Sequence, residues 1–600
     1  MVSKRKPKKQ KVESPVDASA SEGAQEEHLP QDRVPRLRTR ASDNADSDRS
    51  RPPAAPAPAG KRTRRRRASQ EGLEASASLL QPAEALPTSP SMSQQDKGPP
   101  PLHEGTRRDF QTLMHAVVKV FCMHSEPNWS LPWQRKRQYA SSGSGFIIEG
   151  RRILTNAHCI EHGTQVKVRR RGSETKFIAQ VICVGTECDI AMLSVEDDSF
   201  WEGLQPVTFG ELPKLQDSVT VIGFPVGGDS MSVTSGVVSR IEVTVYAQST
   251  SELLGVQIDA AINGGNSGGP AFNVSGECVG VAFQTLRGDD AESIGYIIPT
   301  PVVHHFISDY ERNKRFTAFP NIGIEWQRLE SPQLRQALGM KAEHKGVRVR
   351  RVDPTVPLAA SVREGDILLS FDGIQIGNDG TVPFRSGERL SFTYLVSHKY
   401  THDKATLRLL RDGKEFQVQS ELVPNRRLIP YHLHGRVPPY FIIAGLVFTQ
   451  VTVPFMRSEF GKDFDFDSPI SLLERLANGQ VTIPGQEVVL LACVLASDVS
   501  IGYEEVTNVV VRKLNGKAIN NLPELVCLVE GCKDPYLRFD LDHNSVLALE
   551  TKTARAATPD ILAMHCVPCD RSEDLRQGKE HAMTIRMGHT ANASALANGT

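Results

Sequence analysis

"DAAINGGNSGGPAF", residues Asp259 to Phe272, sets four glycines around one serine inside an otherwise apolar run. Glycine inside regular structure costs about 0.5–1 kcal/mol relative to alanine, so the cluster needs a physical reason. A turn that brings backbone N–H groups up to a small reacting group is one reason. A surface hairpin loop of Asn-Gly chemistry is the other. The rest of the chain separates them.

From Phe110 to Thr300 short runs rich in β-branched residues recur, among them "SGSGFIIEGRRILTNAHC", "KFIAQVICVG", "DIAMLSVE", "DSVTVIGFP" and "IGYIIPT". Gly, Pro and Asp separate them and helical periodicity is absent, which predicts an all-β sandwich or barrel. A helix is expected over "PVVHHFISDYERNKR", where Val302, Val303, Phe306 and Ile307 share one face. Two further units of about a hundred residues each follow. Phe371, Asp372, Gly373 and Ile376 in one unit match Leu514, Asn515, Gly516 and Ile519 in the other. This reads as a diverged internal repeat of a small β-rich module with two helices.

Six hundred residues suggest about three to five domains. Charges balance over the whole chain, yet residues 1–104 carry 19 Lys/Arg against 14 Asp/Glu. All 37 aromatic residues lie at or after Phe110. A segment without aromatics, rich in Pro, Ser, Ala and charge, cannot offset its ordering entropy by burial, so disorder is expected there. The longest apolar runs, "YFIIAGLVF" from Tyr440 and "VVLLACVLA" from Val488, fall far short of the roughly twenty residues a membrane helix needs. The basic N-terminus lacks the apolar segment of a signal peptide, which argues against export. Ten scattered cysteines fit a reducing compartment, and "HCVPC" at His565 is an isolated C-x-x-C, weak support for zinc or redox chemistry. "KRKPKK" at Lys4 and "KRTRRRR" at Lys61 read as nuclear-import or nucleic-acid patches. An organelle transit peptide is disfavoured by Glu13, Asp17, Glu22, Glu26 and Glu27. The expectation is a nuclear protein, with the nucleolus as the narrower option.

Acyl transfer by a serine hydroxyl needs an imidazole to take its proton and a carboxylate to orient that imidazole. The candidates are His158 in "ILTNAHC", Asp189 in "ECDIAMLSV" and Ser267 in "GGNSGGP". Taken singly, each is more often a satisfied polar or turn residue. In the order His, Asp, Ser, each at a strand–loop junction of one β-rich segment, they match the chymotrypsin arrangement. "TNAHC", "DIAML", "GNSGGP" and "IGYIIP", followed by two PDZ-like repeats, resemble the Deg/HtrA family of ATP-independent serine proteases. With its basic tail the chain is most similar to the nuclear plant members of that family.

The resemblance implies a mainly β fold: a chymotrypsin-like double barrel followed by two PDZ-like α+β domains. It divides the chain into a disordered basic tail (1–104), a protease domain (105–312), PDZ-like domains (313–425 and 426–550) and a C-terminal extension (551–600), largely disordered at its end. Ser267 becomes the nucleophile, His158 the general base and Asp189 the orienting acid. The N–H groups of Gly265 and Ser267 become the oxyanion hole. Ala261 stands six residues before the serine, where trypsin-like enzymes carry an acid. With Val281, Ala282 and Phe283 it implies an apolar substrate pocket for a small or medium aliphatic side chain. Asn321, Ile322, Gly323 and Ile324 resemble a carboxylate-binding PDZ loop for peptide C-termini. In the second unit "IGYEE" departs from the usual Gly-Asp, which puts peptide binding there in doubt. Family members assemble as trimers or multiples of trimers. Substrates are expected to be unfolded or selected regulatory proteins, with no metal or organic cofactor. A chaperone or scaffold with secondary proteolysis is the alternative. A nucleic-acid-binding arm ranks third and predicts salt-dependent binding that deleting residues 1–104 abolishes.

Overall fold

Strand alternation builds the first half of the molecule. The computed structural model describes residues 110–576 apart from 248, 250, 289, 290 and 386. The tail, both basic blocks and the end of the C-terminal extension lie outside the described residues. Six strands close the first barrel: β1 (Val117–His124), β2 (Tyr139–Ile148), β3 (Arg152–Thr155), β4 (Gly163–Arg170), β5 (Lys176–Gly185) and β6 (Ile190–Ser194), in the order 1-2-3-6-5-4. Six more close the second: β7 (Ser218–Gly223), β8 (Ser232–Val245), β9 (Glu252–Ile258), β10 (Pro270–Phe272), β11 (Cys278–Gly288) and β12 (Ala291–Pro299), in the order 10-11-12-9-8-7.

Successive side chains on a strand face opposite ways, so one strand serves two cores. On β1, Val118, Val120 and Cys122 fill the first barrel with Ile153 and Leu193, while Val117 joins Phe146, Ile222 and Phe272 in the seam between barrels. Val221, Val256, Ile258 and Ile297 fill the second barrel. The expected helix spans Thr300–Asn313 and buries Val302, Val303, Phe306 and Ile307. From it His305 stacks between Phe319 and Tyr400, each 4.3 Å away, and joins the barrels to the next module.

That module is an antiparallel sheet of Ile324–Gln327, Val347–Val352, Ile367–Phe371, Lys404–Arg411 and Lys414–Glu421, with Ile324–Gln327 at its edge. The second repeats the pattern with Leu446–Gln450, Val489–Val494, Val509–Leu514 and Tyr536–Leu541, extended by Tyr440–Ile443 and Val546–Glu550. The repeated turn has one physical cause in both. Asp372 and Gly373 take φ of 47° and 82°, Asn515 and Gly516 46° and 78°, the positive values that a two-residue hairpin turn needs.

The second module does not stop at 550. The helix Thr551–Met564 buries Ala554 and Ile561 against its cores, and Val567 follows. Asp570 O then accepts from Ile442 N at 2.6 Å, and Ser572 N donates to Tyr440 O at 3.0 Å. Residues 570–572 thus extend the sheet beyond Tyr440–Ile443. The segment between β1 and β2, an aromatic insertion that holds Trp129 and Trp133, also docks here. Trp129 lies in one cluster with Ile429, Leu433 and Phe455, and the Trp133 ring sits 5.6 Å from that of Tyr440.

Candidate active site

Both His158 and Asp189 come from the first barrel. His158 follows β3, and Asp189 closes the one-turn helix Thr186–Cys188 ahead of β6. Asp189 adopts the left-handed conformation, φ 53°, and is buried. Its carboxylate receives two contacts from one residue: His158 N at 2.9 Å on Oδ1 and His158 Nδ1 at 2.7 Å on Oδ2. Its carbonyl accepts from Asn156 Nδ2 at 2.8 Å. A carboxylate only accepts, so in the neutral ring the proton resides on Nδ1 and Nε2 keeps a free lone pair. Burial opposes charge on the imidazole, but the Asp189 carboxylate outweighs it and holds His158 well above its ordinary pKa.

Ser267 belongs to the loop entering β10, and its backbone meets the first barrel. Its carbonyl accepts from Ser144 N at 2.9 Å and lies 3.8 Å from the sulfur of Cys159, the neighbour of His158. Among the described residues no hydrogen bond joins the Ser267 hydroxyl to His158.

The glycines now have a cause. Asn263 O accepts from Asn266 N at 3.0 Å, and Gly265 takes φ 95°, so residues 263–266 form a type II turn. Gly264 O faces Val226 N at 2.8 Å. In a trans peptide the next N–H points the opposite way, so Gly265 N–H is turned from Val226. Neither Gly265 N nor Ser267 N has a backbone acceptor among the described residues. A Cβ on Gly265 would lie 2.5 Å from Phe224 O and Val226 N, and one on Gly268 2.1 Å from Ser144 O. Both approaches are to backbone, so neither position accepts a side chain.

Ser144, on β2, was not singled out in the sequence. Buried in the seam, its hydroxyl donates to Gly265 O at 2.7 Å and accepts from Phe224 N at 2.7 Å. It holds the serine loop of the second barrel to a strand of the first. Its partner lies 121 residues away, so no local pattern announces it. Ser144→Ala should lower kcat about tenfold to a hundredfold with KM little changed, since a small misplacement of the loop is felt mainly in the transition state. Steady-state kinetics on a fluorogenic peptide checks this; an unchanged kcat refutes it.

Val281 and Phe283 on β11 pack into the seam and Ala282 into the second barrel, while Ala282 O accepts from Gly268 N at 2.8 Å and Ala282 N donates to Gly269 O at 2.9 Å, setting this strand against the serine loop. All three are at most 4% exposed, and Phe283 packs on Tyr246 at 4.6 Å. Ala261 alone is exposed.

In the first module Ile322 is buried, while Gly323 and Ile324 border a cavity of about 490 Å³ beside Trp326 and Val396. Gly323 N donates to Asn321 Oδ1 at 2.6 Å, so a side chain of the same loop holds that amide. In the second module Leu446–Gln450 is paired on both sides, and Ala444 N donates to Thr558 Oγ1 at 2.8 Å. The chain itself covers that groove.

Residues 143–281 match the trypsin-like peptidase domain, and residues 320–422 and 429–574 each match a PDZ domain. The chain is 49% identical over 464 residues to protease Do-like 2, chloroplastic, of Arabidopsis thaliana, covering 77% of this chain and 76% of the relative. It is 39% identical over 476 residues to putative protease Do-like 3, mitochondrial, of the same plant, covering 79% and 83%. Among solved structures, the HtrA-type protease AlgW with decapeptide has a TM-score of 0.41 at 24% identity, covering 52% of this chain and 96% of that one. The organellar designations of these relatives overturn the nuclear location read from the basic blocks. Runs of Lys and Arg supply charge, and charge alone does not distinguish one compartment from another. Two barrels carrying a trypsin-like peptidase domain, two PDZ domains behind them and near-half identity along most of the chain make this protein a member of the Deg/HtrA family of serine endopeptidases.

Proposed function

We propose that the protein hydrolyses unfolded or selected regulatory proteins, without ATP, through Ser267, His158 and Asp189. The observation that carries this reading is the double contact of one Asp189 carboxylate with His158 N and Nδ1. It leaves Nε2 as the base. Nε2 takes the Ser267 proton as the hydroxyl attacks the scissile carbonyl, then delivers it to the leaving amine. The tetrahedral oxyanion is received by Gly265 N–H and Ser267 N–H, each such donor contributing about 3–4 kcal/mol in the transition state. Water then repeats the sequence on the acyl-enzyme. A fluorophosphonate should label Ser267, mapped by mass spectrometry, and stop casein degradation in proportion to labelling. Labelling elsewhere, or degradation that persists at full labelling, would remove Ser267 as the nucleophile; neither labelling nor degradation would leave the scaffold role instead.

The domain partition at 105–312 and 313–425, with a second PDZ domain carried on to about Ser572 by its terminal helix and the bridge that follows it, is part of this reading. So are a homo-oligomer, tested by light scattering in solution, and cleavage after small or medium aliphatic residues, which a strong Lys/Arg preference in cleavage profiling would refute.

The first PDZ domain receives peptide C-termini beside Ile322, Gly323 and Ile324, as an added strand on Ile324–Gln327. Because Asn321 occupies the Gly323 amide, the carboxylate must displace it. Asn321→Ala should therefore tighten binding of a labelled C-terminal peptide by about fivefold, the value of one neutral hydrogen bond. Fluorescence anisotropy measures it, and weaker binding would refute this role of the loop.

A further inference from the structure

Glu187 lies two residues before Asp189, in the turn Thr186–Cys188. Opposite it stands the segment "YHLHG" that leads into the second PDZ domain, with Leu433 buried between His432 and His434. The ligand-bearing atoms of Glu187, His432 and His434 all lie within 4.8 Å of one another. Among the described residues no other trio of His, Cys, Asp or Glu comes together in this way. Two of its polar atoms, Glu187 Oε2 and His432 Nδ1, are buried and have no hydrogen-bond partner. No ion pair joins Glu187 to either histidine among the described contacts. Buried polar atoms are nearly always paired, so two orphans facing one spot call for a missing group.

We propose that Glu187, His432 and His434 form a zinc-class transition-metal site that ties the turn carrying Asp189 to the segment opening the second PDZ domain.

Two imidazoles and one carboxylate suit zinc, and a tetrahedral ion spaces its ligand atoms about 3.3 Å apart. His434 is exposed and supplies the path by which an ion arrives; a water completes the fourth position. The backbone is already shaped for the pair. His434 takes φ 51°, Arg436 N closes a turn onto Leu433 O at 3.0 Å, and the two rings stand 4.2 Å apart. The three residues are scattered over almost 250 positions, so no spacing in the chain announces them.

The test uses full-length Ser267→Ala protein, which cannot digest itself, stripped with a chelator and titrated with Co²⁺ and Zn²⁺. One equivalent should bind, with a visible cobalt d–d band and no thiolate charge-transfer band. Glu187→Gln, His432→Ala and His434→Ala should each weaken binding at least about tenfold. Cys566→Ser with Cys569→Ser should leave it unchanged. His434 is exposed, so its replacement decides the matter if a buried variant fails to fold. A thiolate spectrum, binding that survives His434→Ala, or no binding below millimolar metal would overturn the site.

Discussion

His158→Ala should cut casein about 10⁶-fold more slowly than the wild type, with little change in thermal stability. Removing the base or the nucleophile from such a unit costs about as much as removing all three residues, because none works without the others. What survives is the contribution of binding and the oxyanion donors, about 10³–10⁴-fold over water. His158 has a side chain 26% exposed in the seam, outside the packed cores, so its loss leaves no large cavity. Single-turnover assays with a fluorogenic peptide, beside a melting curve, separate chemistry from folding. A loss below tenfold would remove His158 from the reaction.

Asp189→Asn should keep the fold and lower kcat about 10⁴-fold, because an amide can donate to Nδ1 and favour the wrong tautomer. It also carries a signature in pH. A general base works only when unprotonated, so the rate falls as pH drops through the base's pKa. Asp189 holds His158 well above its ordinary value, so the acid limb of kcat/KM in the wild type should lie above the free imidazole value of about 6.5. With asparagine the raising charge is gone and burial, which lowers the pKa, remains. The limb should then move to lower pH while the plateau falls. A full pH–rate profile of both proteins measures this, and a limb that stays in place would break the assigned pairing.

Much of this was legible in the chain. Short β-branched runs marked the barrels because strands declare themselves locally. "GNSGGP" marked the serine loop because Gly265 and Gly268 abut backbone, a constraint only glycine meets. What escaped depends on distance in sequence. Ser144 works on residues in the other barrel. Val281, Ala282 and Phe283 read as one wall, but their side chains divide between the seam and the second barrel. The second PDZ domain read as ending near residue 550. Residues 570–572 bridge to its edge by backbone hydrogen bonds to Tyr440 and Ile442 that leave no mark in side-chain pattern.

The docking of the aromatic insertion gives the molecule a built-in optical gauge. Of the chain's four indoles, Trp129 and Trp133 sit where the first barrel meets the second PDZ domain. Separation of those parts would wet both rings and shift their emission to the red. Trp201, whose Nε1 donates to Val195 O within its own barrel, would stay as an internal standard. The protein's own fluorescence can therefore time the opening of its halves, with no dye attached.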